Sequence, residues 1–279
     1  MIFVFDETFP LPSSSYALLC LSTHTHTHTS DSCSMARVSN FEDVAFWNGR
    51  YSQPKAKAGF DWYLVDFAML RSHLVAALTS VPHTNDSSCS DAQASSGIAV
   101  VDIGCGNSCL LFDMAADAEV AAVARTFSHS PTFVGVDYST AAVDCQREKQ
   151  AAKKALQEEG GTACSVDFCV ADAKDMRSVL RDASVLCVTD KATLDCIDCT
   201  GRPEDGIGVV QEALRVLVPG GCFVIVTCRP VPRRLEAIAS VKGFVVESVV
   251  SLANDPLSPS HVITVRKVQE QHLAAESQK

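Results

Sequence analysis

The chain has 279 residues and is 47% hydrophobic, enough to bury one large core or at most two modest ones. Its 23 Lys+Arg against 33 Asp+Glu leave a net charge of −10. That excludes general binding to nucleic acid or to an anionic membrane, which needs a basic face, and no apolar run approaches the ~20 residues that span a bilayer.

Residues Met1 to Ser34 hold no Lys or Arg, a Ser13-Ser14-Ser15 cluster and the alternation His24-Thr25-His26-Thr27-His28. A His tract can bind metal, but His-Thr alternation is also what a translated CA-dinucleotide repeat gives. The second reading makes 1–34 a disordered or over-extended start, with the natural one at Met35. Neither a secretory signal nor an Arg-rich leader is present, so the cytosol is expected. Residues 35–97 form a lid, a helix and a flexible loop. Phe46, Trp47, Tyr51, Phe60, Trp62 and Tyr63 crowd the first part, with Arg50 among them. They suit a cap on the core or a lid whose aromatic faces meet a cation or a flat ring. Helical spacing follows at Tyr63, Phe67, Leu70, Leu74 and Leu78, then a Ser/Asp/Asn-rich loop to Gly97.

The core is expected over 98–268. The apolar run Ile98 to Ile103 predicts a buried parallel strand; Gly104-Cys105-Gly106 turns it into a helix from Cys109 to Ala116. Pro131 to Tyr138 is a second strand, with Ser139 placed to cap a helix that ends near Gly160-Gly161. Val166 to Val170 and Val185 to Val188 are the third and fourth. A helix from Pro203 to Leu217 is stopped by Pro219-Gly220-Gly221, and Cys222 to Thr227 is the fifth. Phe244 to Leu252 and His261 to Val268, joined across Asn254-Asp255-Pro256, are linked too briefly for a helical crossover and should pair antiparallel. The tail 269–279 is polar. Of the thirteen cysteines, Cys105, Cys109, Cys145, Cys169, Cys187, Cys222 and Cys228 sit in or beside these elements. There they read as small reduced hydrophobes. Cys196 and Cys199 have no second pair at zinc-finger spacing, so no metal is expected.

Strands alternating with helices give one α/β domain, a doubly wound Rossmann-like sheet of seven strands with an antiparallel last strand, in three α/β/α layers. Ligands of such sheets lie beyond the carboxyl ends of the strands, which gathers Gly104, Asp137, Asp172 and Asp190 at one edge. A dinucleotide and S-adenosylmethionine both suit a strand, Gly-x-Gly, helix and distal acid. The third small residue usual for a dinucleotide is Cys109 here. Asp102, two residues before Gly104, adds a further acid. Clustered carboxylates favour a sulfonium and an α-ammonium over a pyrophosphate. Gly104 and Gly106 let the backbone approach that ligand, Asp137 is placed for the ribose hydroxyls and Asp172 for the adenine amine.

These residues resemble the seven-strand class I methyltransferases that use S-adenosylmethionine. The signatures are Val101-Asp102-Ile103-Gly104-Cys105-Gly106, Gly135-Val136-Asp137, Ala171-Asp172-Ala173 and Leu217-Val218-Pro219-Gly220-Gly221, within a match from Phe41 to about Val268. A narrower resemblance rests on five motifs in order. They are Phe46-Trp47-Asn48-Gly49-Arg50-Tyr51, Phe60-Asp61-Trp62-Tyr63, Gly104-Cys105-Gly106-Asn107-Ser108, Val136-Asp137-Tyr138-Ser139 and Asp190-Lys191-Ala192-Thr193-Leu194-Asp195. They look like the methyltransferase-like lysine methyltransferases of elongation factor 1-alpha and the related citrate synthase enzyme. The resemblance implies cofactor contacts at Trp47, Tyr51, Trp62, Gly104, Asp137, Tyr138, Asp172, Ala173 and Lys191. Arg50 is a candidate partner for the cofactor's carboxylate. Where the family has Gly, this chain has Ala192.

Transfer to an amine is an in-line displacement, and a lysine amine must first lose its proton. Asp190 is expected to orient that amine, in a channel shaped by the aromatic lid. The resemblance implies a protein substrate resembling elongation factor 1-alpha, and a monomer is expected. Asp190-Lys191-Ala192-Thr193 stands where nucleic-acid amino-methyltransferases carry Asn/Asp-Pro-Pro-aromatic, so no nucleic-acid partner is expected. A small-molecule methyltransferase and a catalytically silent binding subunit are the alternatives.

Overall fold

The computed structural model describes residues 41–54, 59–82, 97–156, 164–252 and 259–268. The expectations for the N-terminal extension with its His-Thr tract and Met35, for most of the loop before Gly97, for Gly160-Gly161, for the Asn254-Asp255-Pro256 turn and for the polar tail lie outside the described residues.

Seven strands form one sheet in the order β3-β2-β1-β4-β5-β7-β6. They are β1 (Ile98–Ile103), β2 (Thr132–Asp137), β3 (Ser165–Val170), β4 (Val185–Lys191), β5 (Leu217–Thr227), β6 (Phe244–Ser251) and β7 (His261–Lys267). The first five run parallel, while β7 is antiparallel to both β5 and β6, as the short connection requires. Side-chain alternation splits the core across the sheet. Val100, Phe133, Cys187 and Val224 pack under α2 (Phe67–Thr79), α3 (Leu110–Ala116) and α4 (Ala118–Phe127), with Val143 of α5 (Thr140–Leu156). Val101, Val136, Val188 and Phe223 pack on the other face under α6 (Thr193–Asp198), α7 (Pro203–Val216) and α8 (Val231–Ala239). The expected three-layer, doubly wound architecture is present.

Strand order reverses between β1 and β4, whose ends stand side by side, with Ile103 opposite both Val136 and Asp190. A crevice opens at such a point because the chain leaves β1 for one side of the sheet and β4 for the other.

Four local expectations are corrected. Strand β4 continues through Asp190 and Lys191, so these neighbours point to opposite faces of the sheet. Helix α7 ends at Val216, and Pro219-Gly220-Gly221 lies inside β5 instead of preceding it. Helix α2 begins at Phe67, where the Asp66 carboxylate accepts from the Met69 N–H at 3.0 Å and fixes the start. Tyr63 therefore belongs to a separate 3-10 turn, Trp62–Leu64. Helices α4, α6 and α8 were not foreseen, since six to ten residues hold too few turns to show a period.

Candidate cofactor site

The β1 loop is shaped by two glycines with left-handed backbone, Gly104 at φ +60° and Gly106 at φ +50°. A Cβ on Gly104 would collide with the Thr193 side chain, and one on Gly106 would lie 2.6 Å from the Tyr51 hydroxyl oxygen. Absence of side chains here thus admits other parts of the protein, not only a ligand, and brings the aromatic segment down onto the loop. The Asp137 carboxylate at the end of β2 ties the loop in place. It accepts from the Gly106 N–H and the Ser139 N–H, each at 2.9 Å.

Above the strand ends sits α1 (Val44–Tyr51). The Asn48 side chain accepts from the Ser139 hydroxyl at 2.7 Å and the Ala141 N–H at 3.2 Å, so α1 is docked on the N-terminus of α5. Ser139 itself caps that helix, as expected, through the Ala142 N–H. The carbonyl of Phe41 accepts from both the Trp47 indole and the Tyr138 hydroxyl, each at 3.0 Å. Trp47 stacks on Tyr51 at 5.9 Å between ring centres and meets Trp62 edge-on at 6.2 Å.

Between this aromatic roof and the strand ends lies a cavity of about 410 Å³, walled by Trp47, Tyr51, Trp62, Gly104, Asp137, Tyr138, Asp172, Ala173 and Lys191. Its volume is in the range of small-ligand sites. All nine residues that the resemblance implied as contacts meet here, from six separate stretches of chain. A second recess of about 10 Å³, room for roughly one water, shares Trp62, Gly104 and Lys191 and adds Asp102 and Gly106.

Burial raises the Asp137 carboxyl to about 6, against the hydrogen bonds from Ser139 and Gly106. Burial likewise raises Asp102 to about 6, opposed by its bond from the Thr189 hydroxyl at 2.7 Å and by the charge of Lys191. Two acids held short of full ionisation gain from a cationic ligand that returns them to the charged form. Asp172 is half-exposed at the rim, where its carboxylate accepts from the Lys174 N–H at 2.9 Å. Lys191 is buried and donates to Asp61, to the Val65 carbonyl at 3.1 Å and to the Ser108 hydroxyl at 3.2 Å. It is therefore both a wall of the cavity and the anchor of the loop that carries Trp62.

Two expected site residues stand elsewhere. Arg50 is exposed and lines neither space; its guanidinium lies 5.3 Å from the centre of the Phe60 ring and 5.5 Å from that of Trp62. Its fork is engaged by aromatic faces, so it stiffens the roof rather than facing the cavity. Asp190 is buried under α6, where one carboxylate oxygen accepts from the Thr193 and Leu194 N–H groups at 2.9 and 3.3 Å. The other oxygen is buried without a hydrogen-bond partner, and burial raises the group to about 8. Asp190, expected to orient an acceptor amine, stands outside both spaces and caps a helix on the face of the sheet opposite Lys191. Thr193 and Cys196 in the cavity wall, and Asn48 on the underside of α1, were missed. Nothing in spacing distinguishes them before the topology is known, although Thr193 and Asn48 lie in the motifs given above.

A family model described as a methyltransferase domain matches residues 94–273. The chain belongs to this methyltransferase family. Among its relatives is the protein-lysine N-methyltransferase efm4 of Schizosaccharomyces pombe, 31% identical over 160 residues that cover 54% of this chain and 60% of that protein. The human mitochondrial citrate synthase-lysine N-methyltransferase CSKMT is 27% identical over 193 residues, 65% of this chain and 68% of its own length. Mouse EEF1A lysine methyltransferase 4 is 24% identical over 197 residues, 67% of this chain and 61% of its own. The match thus spans less than two thirds of efm4 and of the mouse protein.

The residues of this methyltransferase fit S-adenosylmethionine. Asp137 at the end of β2 is placed for hydroxyl donors, Asp172 at the rim for an amine, and Trp47, Tyr51 and Trp62 offer flat faces to a sulfonium.

Proposed function

We propose that this methyltransferase modifies the side-chain amine of a lysine in a protein, with elongation factor 1-alpha the first acceptor to test. We further propose that it does so in the cytosol and as a monomer. The observation that carries the reading is the aromatic roof. Trp47, Tyr51 and Trp62, from the two motifs that the elongation-factor group shares, pack on one another over the acidic strand ends and wall the cavity. The relatives efm4, CSKMT and the mouse protein are each named as lysine methyltransferases.

S-adenosylmethionine, when bound, supplies an electrophilic methyl group on a sulfonium. The rest falls to the chain. Asp137 and Asp172 hold the donor by its polar groups, and the ring faces orient both cationic centres and strip them of water. A free lysine amine is charged at neutral pH, and an aromatic, poorly hydrated channel favours its neutral form by desolvation. With Asp190 turned away, that desolvation replaces a carboxylate base.

The test is mass spectrometry of purified elongation factor 1-alpha after incubation with the full chain and methyl-labelled cofactor. Label on one lysine supports the reading. Label recovered only in the small-molecule fraction of an extract, or none despite cofactor binding, overturns it in favour of a small-molecule enzyme or a silent subunit.

A further inference from the structure

The turn that carries Trp62 is strained. Tyr63 and Leu64 follow one another at φ +62° and +56°, a conformation costly for residues with a Cβ, and most of all for Tyr and Leu, which lack a short polar chain to bond locally. Such a turn persists only when its surroundings hold it. Two holds, Lys191 and the Ser108 hydroxyl on Asp61, belong to the walls of the cavity and the recess. A third lies outside them. The Tyr63 hydroxyl donates to the Asp195 carboxylate at 2.6 Å, and Asp195 also accepts from Thr227 at 2.5 Å, from the Cys228 N–H at 2.9 Å and from Arg234 at 2.6 Å. Asp195 and Arg234 are almost wholly buried, and neither lines the cofactor cavity or the inner recess. Burial works against the Asp195 charge, but Arg234 and the donors outweigh it and hold its carboxyl below the usual value.

We propose that Asp195, backed by Arg234, is a positioning residue: through the Tyr63 hydroxyl it holds the strained Asp61–Leu64 turn so that Trp62 stands between the cofactor cavity and the inner recess. This rests on the assignment of the cavity to S-adenosylmethionine. A short, charge-assisted bond across 132 residues of sequence joins the N-terminal roof to the ends of β5 and α8. The Trp62 turn is therefore tied to the body of the fold as well as to the cavity wall.

The experiment titrates S-adenosylhomocysteine into three forms of the full chain by calorimetry and by tryptophan fluorescence: wild type, Tyr63→Phe, and Tyr63→Phe with Leu64→Asn. Phe keeps the ring and removes only the grip. Asn tolerates the left-handed backbone, and the Leu64 side chain that it replaces is 54% exposed. The proposal expects affinity to fall about tenfold in Tyr63→Phe, as for loss of a hydrogen bond to a charged group. It expects the fluorescence change on binding to shrink, and the added Leu64→Asn to restore part of both. A role in stability alone would lower the melting temperature without that rescue. Should Tyr63→Phe fail to fold, Leu64→Asn alone serves, with affinity kept or improved for the proposal and lost against it. Wild-type binding with Tyr63→Phe within twofold of it overturns the positioning role alone. No binding by wild type overturns the cofactor assignment and the role together.

Discussion

At the scale of single residues, Asp137 and Asp190 are both buried strand-end carboxylates, and their surroundings give them different work. Asp137 closes the glycine loop and walls the cavity. Asp137→Ala should weaken S-adenosylhomocysteine binding by roughly ten- to a hundredfold, the size of a lost bond to a charged group, as read by calorimetry. Asp190 is held near 8 by burial, against an ordinary value of 3.8. Between those values the folded chain keeps a proton that the unfolded chain has released, so this carboxyl makes stability fall as pH rises. Asp190→Asn keeps an acceptor for the cap on α6 and cannot ionise. It should raise the melting temperature at pH 8 to 9, leave it nearly unchanged at pH 4, and retain turnover. Loss of turnover with intact cofactor binding would return Asp190 to a catalytic role. Ala192 has φ +76°, the left-handed region, where the resembling family has Gly. Ala192→Gly should stabilise the fold by about 1 kcal/mol, measured by thermal melting, because the Cβ penalty at that position disappears.

At the scale of elements, α1 is held mainly by what lies beneath it. Asn48 bonds the start of α5, and Asn48→Ala should cost about 1 kcal/mol, the usual worth of a cap. That lowers the melting temperature by roughly 2–4 °C in a chain of this size. Strands were legible because buried parallel strands leave continuous apolar runs, as Ile98–Val101 and Val185–Val188 do. The junctions were not. Tyr63 keeps helical spacing with Phe67, yet two left-handed residues and the Asp66 cap separate them, and spacing carries no information about φ. Lys191 and Asp190 looked alike as strand-end charges, and only their positions in β4 decide which one meets the cavity. The network of Asp195 with Tyr63 and Arg234 joins residues more than a hundred positions apart in part, beyond the reach of any local pattern.

At the scale of the molecule, the sheet places the acids and the roof supplies the aromatic faces, and the pieces meet because strand order reverses between β1 and β4. The acids gathered at the cavity suit a cation and disfavour a polyphosphate on the same groups. Around the mouth, Arg202 pairs with Glu42 at 2.5 Å and with Asp205 at 2.9 Å, linking the start of the roof to α7. These are exposed pairs of small worth singly. High salt should therefore speed cofactor release modestly without unfolding the chain, which stopped-flow fluorescence would show. The most direct test of the cavity is competitive calorimetry on the full chain with S-adenosylmethionine, its demethylated product and a nicotinamide dinucleotide. Saturable, one-to-one binding of the first two and none of the third is the predicted result; uptake of the dinucleotide alone would contradict it.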